Sequence, residues 1–418
     1  MYLNKVRICS SRLAAAPTHF VRSITVNSTA VEVEEGTAQL KSWREIPGPS
    51  SLPLLGSLQH FIPGGMFHNL NGIDFTHKLY QNYGPIVKVD GMIGMNMLIF
   101  LFDAESVSQI LRSENWMPIR SGFPSLEYYR KYYKKSKDHE QKPTGLVTEH
   151  LQPWREFRSA VNPVMLQPKI IKLYTTAIDQ VAQDMVASLS KHFIQQAMEE
   201  LKTNKGKSSN EKGVLEKLMD INEQFAYIMA SDLLFGGVDT AANTMTATLY
   251  LLATHPEKQQ KLREELLSKS EKKPYLKACI KESMRVMPVV SGNTRRTTKE
   301  YNILGYHIPK DMEIVFSHQE MSLMEQYYPR PKEYIPERWV ADKDDPLYHG
   351  NAHPFAHSPF GFGVRMCIGR RIAELEVETF LARVVENFNV EWFGPPPKVV
   401  QTALNYVKGP FNFVFKDI

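Results

Sequence analysis

The segment Phe360-Gly361-Phe362-Gly363-Val364-Arg365-Met366-Cys367-Ile368-Gly369 constrains this chain more than any other stretch. A single Cys stands between glycines, two positions after an Arg, and opens an amphipathic run over 367–388 that reads as a helix. The glycines permit a tight turn that brings backbone close to a bulky ligand. A Cys at a helix start is drawn toward the thiolate by free N–H groups and the helix dipole. Arg365 adds a fixed cation. One soft anionic ligand beside cations suits a metal centre with an anionic periphery. Haem with a Cys axial ligand meets both demands, since its propionates need cations. A buried structural Cys in a Gly-rich turn is the alternative.

The rest of the chain is ordinary globular sequence. Of its 418 residues 43% are apolar and 23% charged, which excludes global disorder, and three cysteines exclude a disulfide scaffold. The most apolar stretch, 226–254, is interrupted by Asp232, Asp239 and threonines, so no segment reads as a bilayer span. Residues 31–45 suit a linker, and the proline-punctuated 46–56 starts the fold. Short strands are expected at 86–89 and 95–102 around a Gly91–Gly94 turn. Helical patterns occupy 104–112, 154–161, 168–192, 214–254, 257–270 and 274–286. Residues 202–213 form a solvated loop, 287–318 give short strands, and 406–415 alternates like a closing hairpin strand. The expected fold is mainly α with a minor β component.

Charge is unevenly placed. Lys5, Arg7, Arg12 and Arg22 stand among residues 1–30 without any acid, and removing these four from the net +5 leaves +1 for 31–418. A basic, acid-free, Ser-containing start with Leu3, Val6, Ile8 and Leu13 reads as a mitochondrial presequence. An unstructured basic tail is the alternative. The remaining +1 gives no support for nucleic-acid binding.

The Cys367 segment resembles the haem-binding signature of the cytochrome P450 superfamily, with Phe360, Gly363, Arg365, Cys367 and Gly369 in place. Further blocks follow the family's order. Glu282-Ser283-Met284-Arg285 resembles its Glu-x-x-Arg, with both charges on one helix face, and Pro336-Glu337-Arg338-Trp339 its Pro-Glu-Arg segment. The resemblance implies a buried Glu282–Arg285–Arg338 network under a haem b whose iron Cys367 ligates. Trp154 and Arg158 match the family's Trp-x-x-x-Arg, which implies contacts to a haem propionate. An Arg soon after the Glu-x-x-Arg helix would bind a propionate too: Arg296 is expected, with Arg295 as the other choice. Val289–Gly292 is expected to line the substrate pocket.

Gly236-Gly237-Val238-Asp239-Thr240 resembles the family's oxygen-activating segment. Two glycines inside a helix cost about 1 kcal/mol each relative to Ala. The resemblance implies a local helix opening for dioxygen and water, with Thr240 as the proton-relay hydroxyl and Asp239 as the carboxylate that feeds it. Ala241 stands where many members have Thr or Ser. A glycine pair that ends one of two shorter helices is the alternative.

Lys277 and Lys281 lie at i,i+4, and Arg370 and Arg371 follow the cysteine. This is similar to mitochondrial members, which implies docking of an acidic adrenodoxin-like ferredoxin fed by an NADPH-dependent reductase, and the blocks Pro163–Gln167 and Phe360–Leu375 resemble arthropod mitochondrial members above all. Each lysine alone could equally be part of a solvated basic face. The implied location is the matrix side of the mitochondrial inner membrane, with peripheral membrane contact.

The chain departs from the family in two intervals. The 86 positions from Trp154 to Thr240 and the 42 from Thr240 to Glu282 are short, which places missing segments near 193 and near 270 and leaves the roof helices over the haem incomplete. Three functions follow. The first is a haem-thiolate monooxygenase acting on a small apolar substrate, whether steroid-like, lipid or xenobiotic. The second is a shortened form that binds haem poorly and has no turnover. The third is a haem-thiolate isomerase or dehydratase of oxygenated lipids.

Overall fold

The computed structural model describes residues 40–91, 96–120, 122–133, 144–188, 214–402 and 404–418. The expected presequence, the 202–213 loop and the junction at Phe193 lie outside them.

Helices dominate. In chain order the described elements are β1 (Lys41–Ser42), α1 (Gly72–Tyr83), β2 (Ile86–Val89), β3 (Leu98–Leu101), α2 (Ala104–Arg112), α3 (Pro124–Tyr128), α4 (Leu151–Met165), α5 (Pro168–Ser188), α6 (Val214–Ile221), α7 (Glu223–Ala253), α8 (Pro256–Leu267) and α9 (Pro274–Val286). β4 (Asn293–Arg296), β5 (Tyr301–Ile303), β6 (Tyr306–Ile308), β7 (Glu313–Phe316), α10 (His318–Ser322), α11 (Arg370–Asn387), β8 (Phe388–Trp392), β9 (Lys398–Gln401), β10 (Asn405–Lys408) and β11 (Phe413–Asp417) complete them. No helix among the described residues is long and apolar enough to cross a membrane.

A four-stranded mixed sheet runs β2-β3-β7-β4. It shares one apolar core with α1 and α2 that includes Val87, Ile99, Leu101, Leu79, Val107 and Ile110. A second core joins α7, α8, α9 and α11 through Leu252, Leu262, Cys279 and Leu381. A third gathers Trp154, Phe157, Val161 and Met165 of α4 with Leu218 and Met229, and Val364, Ile368 and Ile372 pack against it. That contact seats the cysteine segment on α4.

Several boundaries depart from expectation. The compact unit begins at Leu40, inside the expected linker: Lys41 and Ser42 pair in parallel with Tyr306 and His307, and Ser42 and Glu45 form a reciprocal capping box. Sequence composition hides such an edge strand because backbone bonds, rather than apolar side chains, hold it. The long helix breaks at Asn222, whose side chain accepts from the Phe225 amide, and α7 then runs without interruption through Gly236 and Gly237. The two glycines therefore do not end a helix. The last segment gives two strands in separate sheets, β10 on β9 and β11 on β8, where one closing strand was expected. The junction near 270 is a closed turn: Lys273 Nζ donates to the Glu265 and Leu266 carbonyls, and Glu265 accepts from the Tyr275 and Leu276 amides.

Candidate active site

Cys367 lies ahead of α11 rather than in its first turn, with Gly369 as the N-cap residue. Gly361 and Gly363 adopt φ of 72° and 71°, a region that favours glycine. Their conformation folds the segment back so that the Cys367 amide donates to the Phe360 carbonyl at 2.9 Å and the Met366 amide to the Gly363 carbonyl at 3.0 Å. The thiol is accessible on one side but sits among enough protein that burial raises its pKa. The Gly369 and Arg370 amides and the Arg158 and Arg120 guanidinia act in the opposite direction. The expected pull toward thiolate is present, and burial outweighs it.

Cations crowd this turn. Arg365 is buried and donates to the carbonyls of Pro118, Leu146 and Glu149, with its guanidinium 4.0 Å from the Trp154 ring centroid. Arg158 is buried one helical turn after Trp154, and its Nη2 donates to the Met366 carbonyl at 2.9 Å. Burial lowers Arg365 to about 8, assisted by Arg120, Arg295 and Arg158, and lowers Arg158 to about 10. A guanidinium keeps its proton under ordinary conditions, so these directions express the cost of holding like charges together out of water. Glu114 is the carboxylate beside them. It pairs with Arg295, and burial raises its own pKa.

The donor set fits a haem. Among the described residues Arg158 Nε is buried without a hydrogen-bond partner, as is Glu114 Oε2. One carboxylate against Arg120, Arg158, Arg295 and Arg365 leaves an excess of positive charge that a dianionic group would balance, beside a thiol able to ligate iron.

The strand register separates the two β4 arginines. Arg295 pairs in the sheet with Ile314 and Arg296 with Glu313, so their side chains leave on opposite faces. Arg295 is buried, faces the cluster and lines a small cavity with Asn293, Ser358, Gly361 and Phe362. Arg296 is half-exposed and its Nη2 donates to Glu313 at 2.6 Å. The structure thus brings Arg295, the other choice left by the spacing, into the cluster and leaves the favoured Arg296 outside it.

Glu282, Arg285 and Arg338 are fully buried together. Glu282 accepts from both Arg285 Nε and Nη2, from Arg338 Nε at 3.1 Å, from the Trp339 indole at 2.9 Å and from the Ile335 amide at 3.1 Å. Arg285 spends its other donors on the carbonyls of Ser322, Pro331 and Glu333. The network ties α9 to the segment after α10.

Asp239 and Thr240 lie in α7. Thr240 Oγ1 donates to the Gly236 carbonyl at 2.6 Å, so the helix shows no opening there. Asp239 accepts from the Tyr406 hydroxyl at 3.2 Å, while the neighbouring Asn243 accepts from the Val407 amide at 3.0 Å. Strand β10 thus packs along this face, a partnership that the sequence did not signal. Leu234, Phe235 and Val238 of the same stretch are exposed, and a Cβ on Gly236 or Gly237 would meet open space.

Of the expected docking residues, Lys277 lies 3.7 Å from Glu378, Lys281 sits over the Trp339 ring, Arg370 pairs with Glu374 at 2.9 Å, and Arg371 is exposed. Val289 and Ser291 engage Asn405 and Gln319 through their carbonyls. Arg120 and Glu114 escaped the sequence reading, because they sit between α2 and α3 without any local pattern.

The chain matches the family described as Cytochrome P450 over residues 46–205 and 192–413. It is 30% identical to cytochrome P450 CYP12A2 of Musca domestica over 534 positions, covering 100% of this chain and 98% of the relative. It is also 30% identical to the probable mitochondrial cytochrome P450 12a5 of Drosophila melanogaster, covering 91% and 92%. Its fold resembles that of the retinoic acid-bound cyanobacterial CYP120A1, with a TM-score of 0.69, 20% identity, and coverage of 91% of this chain and 100% of that one. The cysteine turn, its arginine cluster and the buried glutamate network thus belong to a haem-thiolate enzyme, and the chain is a member of the cytochrome P450 family.

Proposed function

We propose that this chain is a mitochondrial haem-thiolate monooxygenase that inserts one atom of dioxygen into a small apolar substrate of steroid-like, lipid or xenobiotic type. The observation that carries the reading is Cys367 held at a glycine-shaped turn beside four arginines with one facing carboxylate. Haem, ligated by Cys367, supplies the redox chemistry when bound. Arg158, Arg295 and Arg365, with Arg120, hold its propionates, and Trp154 supports Arg365 through its ring face. Thr240 holds a proton at its hydroxyl, and Asp239 passes protons to it from solvent.

Electrons come from NADPH through a reductase and an adrenodoxin-like ferredoxin that docks on Lys277, Lys281, Arg370 and Arg371. The Drosophila relatives named mitochondrial support the compartment, as does the basic start over 1–30. Peripheral attachment to the matrix side of the inner membrane is part of the same reading.

A second reading is a shortened form with weak haem retention and no turnover. The exposed Leu234, Phe235 and Val238 favour it, as does an alignment of 534 positions against 418 residues. A reduced carbon monoxide difference spectrum tests the pair. A thiolate-type Soret band supports the monooxygenase, and its absence supports the shortened, haem-losing form. Product formation that depends on added ferredoxin and reductase then separates oxygenation from isomerisation.

A further inference from the structure

Asp232 of α7 is buried, yet no step proposed above uses it. Its Oδ1 accepts from Arg130 Nη1 at 2.6 Å and its Oδ2 from the Leu146 amide at 3.0 Å. Arg130 Nη1 also donates to the Thr144 carbonyl at 2.9 Å. The two residues, paired with each other, therefore hold the 144–149 turn together. Gly145 at the centre of this grip has φ 115°, and a Cβ there would come within 2.7 Å of both Arg130 Nη1 and Asp232 Oδ2.

The same turn holds Arg365. The Leu146 carbonyl accepts from Arg365 Nη1 at 3.2 Å and the Glu149 carbonyl from Nη2 at 2.7 Å. One peptide segment thus receives an ion pair from α7 through its amide and delivers carbonyls to the arginine beside Cys367. Residue 232 also precedes Asp239 by two helical turns, so both project at nearly the same angle from α7.

We propose that Asp232 is a positioning residue: through the Leu146 amide and Arg130 it fixes the 144–149 turn whose carbonyls hold Arg365, and so sets the arginine cluster from α7. The inference rests on the reading of that cluster as the clamp for a dianionic cofactor. It adds that α7 and the clamp move as one unit, since a shift of α7 pulls on the acceptors of Arg365. Loss of the carboxylate charge leaves the partly buried Arg130 guanidinium with only the Thr144 carbonyl and weakens the bond to the Leu146 amide, which opens the turn locally.

The test uses the full chain without haem. Phenylglyoxal labelling of arginines is read by peptide mass spectrometry in wild type, Asp232→Asn, the milder Arg130→Lys, and Asp179→Asn. The last removes a partner of Arg383 that links α5 to α11. Arg365 should be protected in wild type and in Asp179→Asn, and should label about five-fold faster or more in Asp232→Asn, with a smaller rise in Arg130→Lys. Unchanged Arg365 labelling in Asp232→Asn overturns the proposal, and so does equal exposure in both aspartate variants. In the haem-loaded chain Asp232→Asn and Arg365→Lys should each speed haem loss, with a combined effect smaller than additive. Additive effects overturn the link. A wild-type chain without a thiolate spectrum defeats the functional reading alone, because the labelling comparison still decides the positioning claim.

Discussion

Glu282 and Arg285 meet with two parallel hydrogen bonds, Nε to Oε2 at 2.9 Å and Nη2 to Oε1 at 2.7 Å, with neither side chain touching solvent. Glu282→Ala would strand Arg285 and Arg338 as buried unpaired cations. Breaking such a pair costs about 3–5 kcal/mol, a large share of the roughly 5–15 kcal/mol that holds a domain together. The variant should be largely insoluble or melt far below wild type. A thermal midpoint within a few degrees of wild type would show that the network carries little of the fold.

Cys367→Ser keeps the turn, since the Cys367 amide bond to Phe360 is made by backbone. It removes the soft anionic donor. The reduced carbon monoxide spectrum should lose its thiolate band entirely, while far-ultraviolet circular dichroism of the chain stays the same.

The opposite faces of Arg295 and Arg296 give a paired prediction. Arg295→Gln should weaken haem binding about ten-fold or more, since it removes a cation from a partly desolvated anion site. Arg296→Gln breaks a half-exposed pair with Glu313, worth about 0–1 kcal/mol, and should leave haem affinity nearly unchanged. Haem titration of the two variants decides it. A larger loss in Arg296→Gln would reverse the assignment.

Acid sensitivity should come from His318. Burial lowers its pKa from 6.5 to about 4, with the Val290 backbone opposing. His357 is pushed well down by burial, His318, Arg285 and Lys281. The folded state keeps His318 neutral where the unfolded chain protonates it. Stability is therefore retained above pH 6.5 and lost as the pH falls toward 4, by up to about 3 kcal/mol from His318 alone. Urea midpoints at about pH 7 and about pH 5 should differ less in His318→Leu than in wild type. An equal drop in both would place the acid sensitivity elsewhere.

Gly145→Ala should destabilise the chain by about 1–3 kcal/mol. The new Cβ would be strained at φ 115° and would press on Arg130, Asp232 and Ile228. Chemical denaturation measures it, and a neutral result would mean that the turn yields freely.

Local signals made some of this architecture legible in the sequence. The bounds of Ala104–Arg112 and Pro274–Val286 could be read because Asp103 caps the first and Pro274 opens the second. Glu282 and Arg285 were legible through their resemblance to the family's Glu-x-x-Arg, since i,i+3 spacing alone suits a surface pair as well. Arg120, Glu114, Arg130 and Asp232 did not, because their partners lie far along the chain and no periodicity marks a buried ion pair. Arg295 and Arg296 show a finer limit. Their presence was readable, but which one faces the cysteine depends on strand register, and a two-residue window contains both answers. The 41–45 segment was misjudged because polar residues form β1 through backbone bonds alone.

That small strand has a consequence for the sheet it edges. Lys41 and Ser42 are zipped to Tyr306 and His307, and the Lys41 amide also donates to the Gly305 carbonyl at 3.0 Å. Were the basic start removed as a presequence, a cut before Lys41 would leave this strand intact. A cut beyond it would strip an outer strand from the β6–β5 hairpin and leave that edge open to pairing with a neighbouring chain.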